Sequence, residues 1–202
     1  FRLRFRHGSR VSLRSPRDDT SREAADFMPE TITPSWRPMA AADLPVVIAV
    51  AAQVHPDYPE GEAVFAERLA LHPAGCLVLA GGEGLGGYVL SHPWRLGQVP
   101  ALDSLLGALP DDADTYYIHD LALLPTARGG GAASACVERL ATHARASGFA
   151  RMALVAVGNS AGFWRRQGFR EAHDEALARK LASYDDAARY LVRDLKDDGR
   201  NA

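Results

Sequence analysis

One stretch near the middle of the chain restricts the fold more than any other: a strand, a glycine-rich loop and a helix in direct succession. Strand-forming side chains fill residues 116–124, and Pro125 ends the strand. Three consecutive glycines, 129–131, then lead into a helix predicted over 130–147. A second buried strand, 152–157, follows this helix. The stretch therefore predicts a crossover between parallel strands, and with it a mixed α/β sheet.

Shorter patterns on either side complete the predicted sheet and its covering helices. We expect an extended segment at 32–38, helices at 43–55, 61–71 and 160–167, a hairpin of strands 76–80 and 87–91, and strands from 169 onwards and at 188–195. Between the hairpin and the central strand we expect irregular chain, with a short helical turn at 102–109. With 202 residues, 47% of them hydrophobic, the chain is long enough for one domain with its own core.

The cysteine content and the length of the apolar stretches exclude several classes of protein. Cys76 and Cys136 are too few for a disulfide framework or a four-thiolate zinc site, and both fall on apolar faces where we expect core residues. No spacing of histidine, cysteine and carboxylate residues predicts a metal site. The longest nearly apolar stretch, residues 44–52, is shorter than the roughly 20 residues that span a membrane. We therefore expect a cytoplasmic protein with no membrane partner.

Charge is distributed unevenly along the chain. Residues 1–27 hold seven arginines and four acids, a net charge of +3, whereas residues 28–202 carry −5. Our main interpretation is that residues 1–27 are a disordered or non-native extension ahead of a start at Met28. A targeting peptide and a nucleic-acid-binding arm remain open as alternatives. Because no aromatic series or recognition fold accompanies the arginines, we expect no nucleic-acid partner and assign the folded domain to residues 28–202.

The glycine loop has the properties of an anion-binding site. The first N–H groups of the following helix have no partner within it, and the helix dipole favours negative charge there. The small residues at 129–133 leave room for a phosphate, and Arg128 adds a positive charge. The loop lacks the lysine of a Walker sequence, and it lacks the third glycine and the later acid of a dinucleotide-binding sequence. We therefore expect a pyrophosphate other than that of a nucleoside triphosphate or NAD.

Two motifs together resemble the GCN5-related N-acetyltransferases, the GNAT family. Residues 128–133, Arg-Gly-Gly-Gly-Ala-Ala, match the Arg/Gln-x-x-Gly-x-Gly/Ala loop of that family. Residues 159–169 are similar to its Asn…Phe-Tyr-x-x-x-Gly-Phe segment, and one helix and one strand fit between the motifs. The resemblance covers about residues 32–195. It implies a single α/β domain with helices flanking a mixed central sheet and an acetyl-CoA cleft between two splayed strands.

The resemblance also implies an activity and a set of coenzyme-binding residues. Members move the acetyl group of acetyl-CoA to a primary amine of a small molecule or protein, by direct attack through a tetrahedral intermediate and without a metal. The strand before the loop pairs with the pantetheine arm, loop amides hold the pyrophosphate, and two residues of the second motif lie beside the coenzyme. The positions so implied are Leu121, Ala122, Leu123, Arg128, Gly129, Gly130, Gly131, Ala132, Ala133, Asn159 and Trp164.

A general base is useful in this reaction because an alkylammonium, with a pKa of about 10, must lose a proton before it attacks. His119 and Asp120 lie just before the implied pantetheine segment, and some relatives carry a His or Glu base at the position of His119. Successive strand side chains point to opposite faces unless a bulge intervenes. We therefore expect His119 to be the base and Asp120 a hydrogen-bonding or structural residue, with a non-catalytic buried histidine as the alternative.

The proton donor for the leaving thiolate is left open by the sequence. Trp164 stands where the family usually has a tyrosine acid, and an indole N–H is not a practical acid. Water, Tyr184 or Tyr190 remain as donors. The replacement also keeps open an alternative function, a non-catalytic acyl-CoA-binding or regulatory module.

The acceptor pocket is implied between the first two predicted helices. Asp57, Tyr58 and Glu60 there could hold a cationic amine, and a solvated, proline-stiffened loop is the equal alternative. The charge of −5 on residues 28–202 also favours a cationic acceptor. Residues 91–94 either line the same pocket or pack in the core. A homodimer is left open.

Overall fold

The computed structural model describes residues 33–82, 84–172, 177, 179, 181 and 187–195. The interpretation of residues 1–27, the predicted start of the domain at residue 28 and the proposed proton donor Tyr184 lie outside these residues. The helices are α1 Leu44–Val54, α2 Glu62–Leu71, α3 Ala132–Ala146 and α4 Ala161–Arg166. The strands are β1 Ser35–Pro38, β2 Leu77–Gly81, β3 Gly84–Trp94, β4 Thr115–Leu123, β5 Arg151–Ala156, β6 Arg170–Glu171 and β7 Arg189–Asp194.

The described strands form one sheet in the order β1-β2-β3-β4-β5-β7-β6. Every neighbouring pair in it is antiparallel except β4 and β5, which run parallel and are joined through α3. The predicted crossover and the mixed α/β class are therefore confirmed. Within the described part of the chain, no helix is long and apolar enough to cross a membrane.

Helices cover both faces of the sheet. On one face, α3 packs Cys136, Val137 and Leu140 against residues of β4 and β5 such as Ile118 and Leu154. On the other face, α1 and α2 bury apolar side chains against β2 and β3, with Val47, Phe65, Val78 and Tyr88 at the centre of that cluster. Both faces are thus sealed, as a sheet that contains a parallel pair requires.

The two cysteines are core residues, as the sequence predicts. Cys76 and Cys136 are each fully buried. Burial raises the pKa of each thiol to about 12, so neither forms a thiolate at neutral pH.

Two predicted elements differ from the observed ones. Strand β3 runs on to Trp94 although the sequence predicts irregular chain from residue 92, because residues 91–94 pair with the first half of β4. Pro93 is tolerated there since β2 pairs with β3 only as far as Val89, which leaves no ladder bond on that side for the proline to break. The predicted helical turn at 102–109 is absent, and that segment forms non-helical turns.

Strands β4 and β5 separate halfway along their length. They pair only from Tyr116 with Met152 to Ile118 with Leu154, although β4 continues to Leu123 and β5 to Ala156. In the described part of the chain, no strand pairs with the remaining edge of β4 on that side. The expected splayed-strand cleft is therefore present, and it opens at the carboxyl ends of the two parallel strands.

Candidate active site

A cavity of about 950 Å³ opens where β4 and β5 separate. Its wall is contributed by the connection between α1 and α2, the segment before β4, the second half of β4, the glycine loop, the end of β5 and α4. The lining includes most of the residues that the sequence singles out. Among the described residues, no group of three or more histidine, cysteine or carboxylate side chains is arranged to hold a metal ion.

The glycine loop begins α3 with an open, positively polarised end. Gly131 is the N-cap of α3 and adopts a left-handed backbone with φ 78°. A Cβ added there would meet no described atom within 4 Å. The N–H of Ala135 makes the first helical bond, to Gly131 O, so the preceding N–H groups have no acceptor in the helix. The loop backbone is thus accessible to an anion, which is the property that a pyrophosphate site requires.

Contacts from outside the loop hold it in place. Trp36 of β1 donates its indole N–H to the carbonyl of Ala132 at 2.8 Å, and Arg128 donates from Nε to the carbonyl of Leu123 at 3.0 Å. Gly129, Gly131, Ala132 and the neighbouring Ala133 line the cavity together with Arg128. Gly130 is not part of the wall, although the sequence assigns it to the same loop.

Along the free edge of β4, alternate residues direct their backbone N–H and C=O groups into the cleft. Leu124 donates its N–H to Gly86 of β3, and β4 pairs with β3 in continuous register as far as Asp120. In such a ladder the residues that bond β3 alternate with residues whose N–H and C=O point to the other side. Leu121 and Leu123 therefore face the cleft, whereas Ala122 bonds towards β3 and buries its methyl group under α1 and α2. The prediction that Ala122 pairs with pantetheine is not supported.

A β-bulge lets two adjacent residues of β4 reach the same cavity. Leu90 of β3 pairs with Asp120 and the next residue, Ser91, pairs with Ile118, so His119 is the extra residue. Both His119 and Asp120 line the cavity. The bulge is the exception that the alternation of strand side chains allows, and it brings both residues to one cavity where regular alternation predicts only one.

Each of these two residues belongs to a histidine–carboxylate pair. His119 Nε2 lies 3.0 Å from Glu60 Oε2, and both side chains are almost completely buried. His55 Nε2 lies 3.0 Å from Asp120 Oδ1, and the buried Tyr88 hydroxyl donates a hydrogen bond to Asp120 Oδ2. The two pairs and Tyr88 bring residues from the connection between α1 and α2 and from β3 to the bulge of β4.

The electrostatics of the second pair favour the charged form of both partners. Burial is the largest influence on the pKa of Asp120 and raises it, but His55, Tyr88 and His119 together hold that pKa below its ordinary value. Burial lowers the pKa of His55, and the Asp120 and Glu60 carboxylates outweigh it so that the pKa ends above its ordinary value. Burial and the neighbouring carboxylate raise the pKa of Tyr88 far beyond its usual range, so it remains a donor.

The residues of the second motif lie where the cavity meets α4. Asn159 lines the wall. Trp164 is 93% buried and packs edge-on against Phe163 and Phe169, and it also borders the cavity. The proposed donor Tyr190 is engaged elsewhere, because its hydroxyl accepts the N–H of Gly97, and it is not part of this wall.

The sequence did not indicate that His55 pairs with Asp120 or that Glu60 pairs with His119. The only signal for His55 was a histidine at the end of α1, directly before Pro56. The sequence left Asp57, Tyr58 and Glu60 open between an acceptor pocket and a solvated loop. All three line the cavity, and Glu60 also contacts His119. Residues 91–94, the other candidates for this pocket, do not line it: Ser91 and His92 are buried, and His92 packs on Trp94.

Comparison with protein families places the chain in one of them. The family model described as Acetyltransferase (GNAT) family matches residues 36–169, about two thirds of the chain. The match spans β1, the glycine loop and the second motif. The chain therefore belongs to the GNAT acetyltransferase family. A search of curated proteins finds no significant match.

Solved structures share the fold at low sequence identity. The GphF GNAT-like decarboxylase in complex with isobutyryl-CoA is 17% identical with a TM-score of 0.69, over 80% of this chain and 100% of that chain. The NatC complex bound to Gag peptide and CoA is 17% identical with a TM-score of 0.61, over 82% and 100%. N-acetylglutamate synthase from Neisseria gonorrhoeae, complexed with coenzyme A and N-acetyl-glutamate, is 20% identical with a TM-score of 0.60, over 81% of this chain. This chain spans only 35% of that synthase.

Proposed function

We propose that this protein is an N-acetyltransferase that moves the acetyl group of acetyl-CoA to a primary amine. The observation that carries the proposal is one cavity in which an open glycine loop and two histidine–carboxylate pairs meet at the free edge of β4. Membership of the GNAT family supports the class of reaction. Family neighbours complexed with CoA or an acyl-CoA support the coenzyme.

The coenzyme would be held by residues whose shape and donors fit it. Gly129, Gly131, Ala132 and Ala133 leave their backbone accessible to a pyrophosphate, and Arg128 adds a positive charge beside them. The backbone groups of Leu121 and the N–H of Leu123 suit an amide-bearing arm, whereas the Leu123 carbonyl accepts from Arg128. When bound, acetyl-CoA supplies the activated acetyl group, and the protein has to position and deprotonate the acceptor.

His119 is the base of this proposal. It lies at the bulge of β4, at the end of the free edge away from the glycine loop, and it lines the cavity. Glu60 beside it stabilises the imidazolium that forms when an ammonium gives up its proton. The pair of His55 and Asp120 lines the same wall of the cavity.

The acceptor is a cationic amine in this proposal. Asp57, Glu60 and Asp120 line the cavity, where Glu60 and Asp120 also contact His119 and His55. Among the described residues, the arginines of the wall are Arg128 and Arg166, which belong to the glycine loop and to α4. An ammonium is therefore matched better there than an amine that carries its own carboxylate.

The test is an acetyl-CoA consumption assay against a panel of diamines, amino acids and peptides. We expect turnover with cationic amines, and a loss of kcat/KM in His119→Ala that is greatest at lower pH, where the base is needed most. An unaltered pH profile in His119→Ala would remove His119 as the base. Tight coenzyme binding with no turnover of any acceptor would support the alternative, a non-catalytic acyl-CoA-binding module.

A further inference from the structure

Glu60 uses both of its carboxylate oxygens, and each serves a different part of the site. Oε2 contacts His119 Nε2 at 3.0 Å. Oε1 accepts the backbone N–H of Asp103 at 3.1 Å. One nearly buried carboxylate thus connects the base of the proposed reaction to the segment that precedes β4.

That segment is fastened to the start of α2 by a group of hydrogen bonds. Asp103 Oδ1 accepts the N–H of Gly61 at 2.7 Å, which makes the contact with residues 60–61 reciprocal. The Glu67 carboxylate accepts the N–H groups of Leu106 and Gly107 at 2.7 and 2.8 Å. We call residues 103–107, held in this way, the clasp. Residues 99–102 directly precede the clasp and line the cavity, so the position of the clasp affects the shape of the cavity.

The contact with Glu60 also selects which ring nitrogen of His119 can act. A carboxylate accepts hydrogen bonds, so the nitrogen that faces it carries the proton. Nε2 is therefore the N–H in neutral His119, and Nδ1 is the acceptor. Within the described part of the chain, no hydrogen-bond partner engages Nδ1.

Resting on the function proposed above, we infer that Glu60 is a positioning residue that holds His119 in the Nε2–H form. Nδ1 of His119 then takes the proton of the acceptor amine. The clasp fixes the position of the Glu60 carboxylate. The step is a single proton transfer. The ammonium nitrogen loses a proton and keeps the electron pair, and Nδ1 gains that proton. The positive charge passes to the imidazole, beside the Glu60 carboxylate, and the neutral amine is left to attack.

Other charged and titratable groups around His119 do not replace Glu60 in this role. His92 of β3 lies with its ring centre 6.1 Å from that of His119, and burial lowers the pKa of His92 to about 3, so it is uncharged near neutral pH. Asp120, the neighbour in β4, is already paired with His55 and Tyr88. Glu60 is the carboxylate in contact with the His119 ring.

The primary test compares Glu60→Gln with Glu62→Gln in the full chain. Glutamine keeps the size and an accepting oxygen but removes the charge, whereas Glu62 is exposed on the first turn of α2 and undergoes the same charge change. We expect Glu60→Gln to lower kcat/KM for acetyl transfer, because the carboxylate that orients His119 and stabilises its imidazolium loses its charge. We expect Glu62→Gln to leave kcat/KM unchanged.

The clasp is tested by Asp103→Gly and Asp103→Asn. Asp103 has φ 51°, a backbone that both glycine and asparagine adopt readily, so the two variants differ mainly in the accepting oxygen. We expect Asp103→Gly to raise the KM of the acceptor, because the Gly61 N–H loses its acceptor and the clasp is held less firmly. We expect Asp103→Asn, which keeps an accepting oxygen, to have a KM between that of Asp103→Gly and that of the unchanged protein.

A spectroscopic measurement separates positioning from a general loss of structure. The 15N shifts of the His119 imidazole, assigned by comparison with His119→Gln, report which nitrogen carries the proton. We expect the Nε2–H form in the unchanged protein and a larger Nδ1–H population in Glu60→Gln. An Nδ1–H form in the unchanged protein, or a kcat/KM that Glu60→Gln leaves unchanged while His119→Ala lowers it, overturns the inference and leaves the proposed function standing. A pH profile that His119→Ala leaves unaltered instead removes the base itself.

Discussion

The left-handed glycine that begins α3 allows a charge-only test of the pyrophosphate site. Gly131 has φ 78°, and a Cβ there would meet no described atom within 4 Å. Asparagine and aspartate are the side chains that tolerate this backbone best. Gly131→Asp and Gly131→Asn therefore pay the same conformational penalty and add nearly the same volume. They differ by one negative charge at the mouth of the loop.

The size of the effect follows from Coulomb's law. A side-chain carboxylate at this position would come within about 6 Å of a phosphate held by the loop N–H groups, and at an effective dielectric constant of about 40 each pair of unit charges repels by about 1.4 kcal/mol. A pyrophosphate with about two charges gives a repulsion of about 2.8 kcal/mol, or about a hundredfold in Kd. The Asn variant keeps the backbone amides and adds no charge.

Isothermal titration calorimetry with coenzyme A measures both dissociation constants. We expect the Kd of Gly131→Asp to exceed that of Gly131→Asn by about a hundredfold at low salt, and the gap to narrow as salt screens the charges. Urea unfolding of the two variants checks that their stabilities agree. Equal affinities in two equally stable variants would refute the assignment of the pyrophosphate to this loop.

Three further outcomes follow from buried contacts. The pKa of Asp120 is lowered in the folded protein, so ionised Asp120 stabilises the fold above the unfolded pKa of about 4, and this stabilisation is lost as the pH falls through the folded pKa. In urea denaturation, we expect Asp120→Asn to lower the free energy of unfolding by about 3 kcal/mol near pH 7 and by little at pH values well below 4. Trp36→Phe removes the indole donor to Ala132 O and should lower the free energy of unfolding by about 1 kcal/mol; an unchanged value contradicts a role for this bond. Cys76 and Cys136 should resist iodoacetamide in the native protein and react in denaturant, as followed by mass spectrometry; rapid native labelling contradicts their burial.

Local chemistry explains which parts of the fold were predictable. The glycine loop was visible in the sequence because the backbone at Gly131 is left-handed, a conformation that glycine adopts readily. The crossover was visible because the period of apolar residues changes from strand to helix and back across residues 116–157. Both signals lie within a few residues of the feature that they predict.

The parts that the sequence did not predict depend on contacts between distant residues. The bulge at His119 arises from the register between β4 and Leu90 of β3, which no local pattern of β4 reveals. The Glu60–His119 contact joins residues 59 positions apart, and the bond from Asp103 to Glu60 joins residues 43 apart. Residue types alone identified Glu60 as an acidic loop residue, and only the fold makes it the partner of a histidine.

The stoichiometry of one turnover assay tests the central claim most directly. The protein is incubated with acetyl-CoA and the best acceptor of the amine panel, and free coenzyme A thiol and acetylated amine are quantified in the same sample. Acetyl transfer predicts that the two products rise together in equal amounts, and that both fall in His119→Ala. Thiol released without acetylated amine, or no thiol release with any acceptor while coenzyme A still binds, would contradict the account.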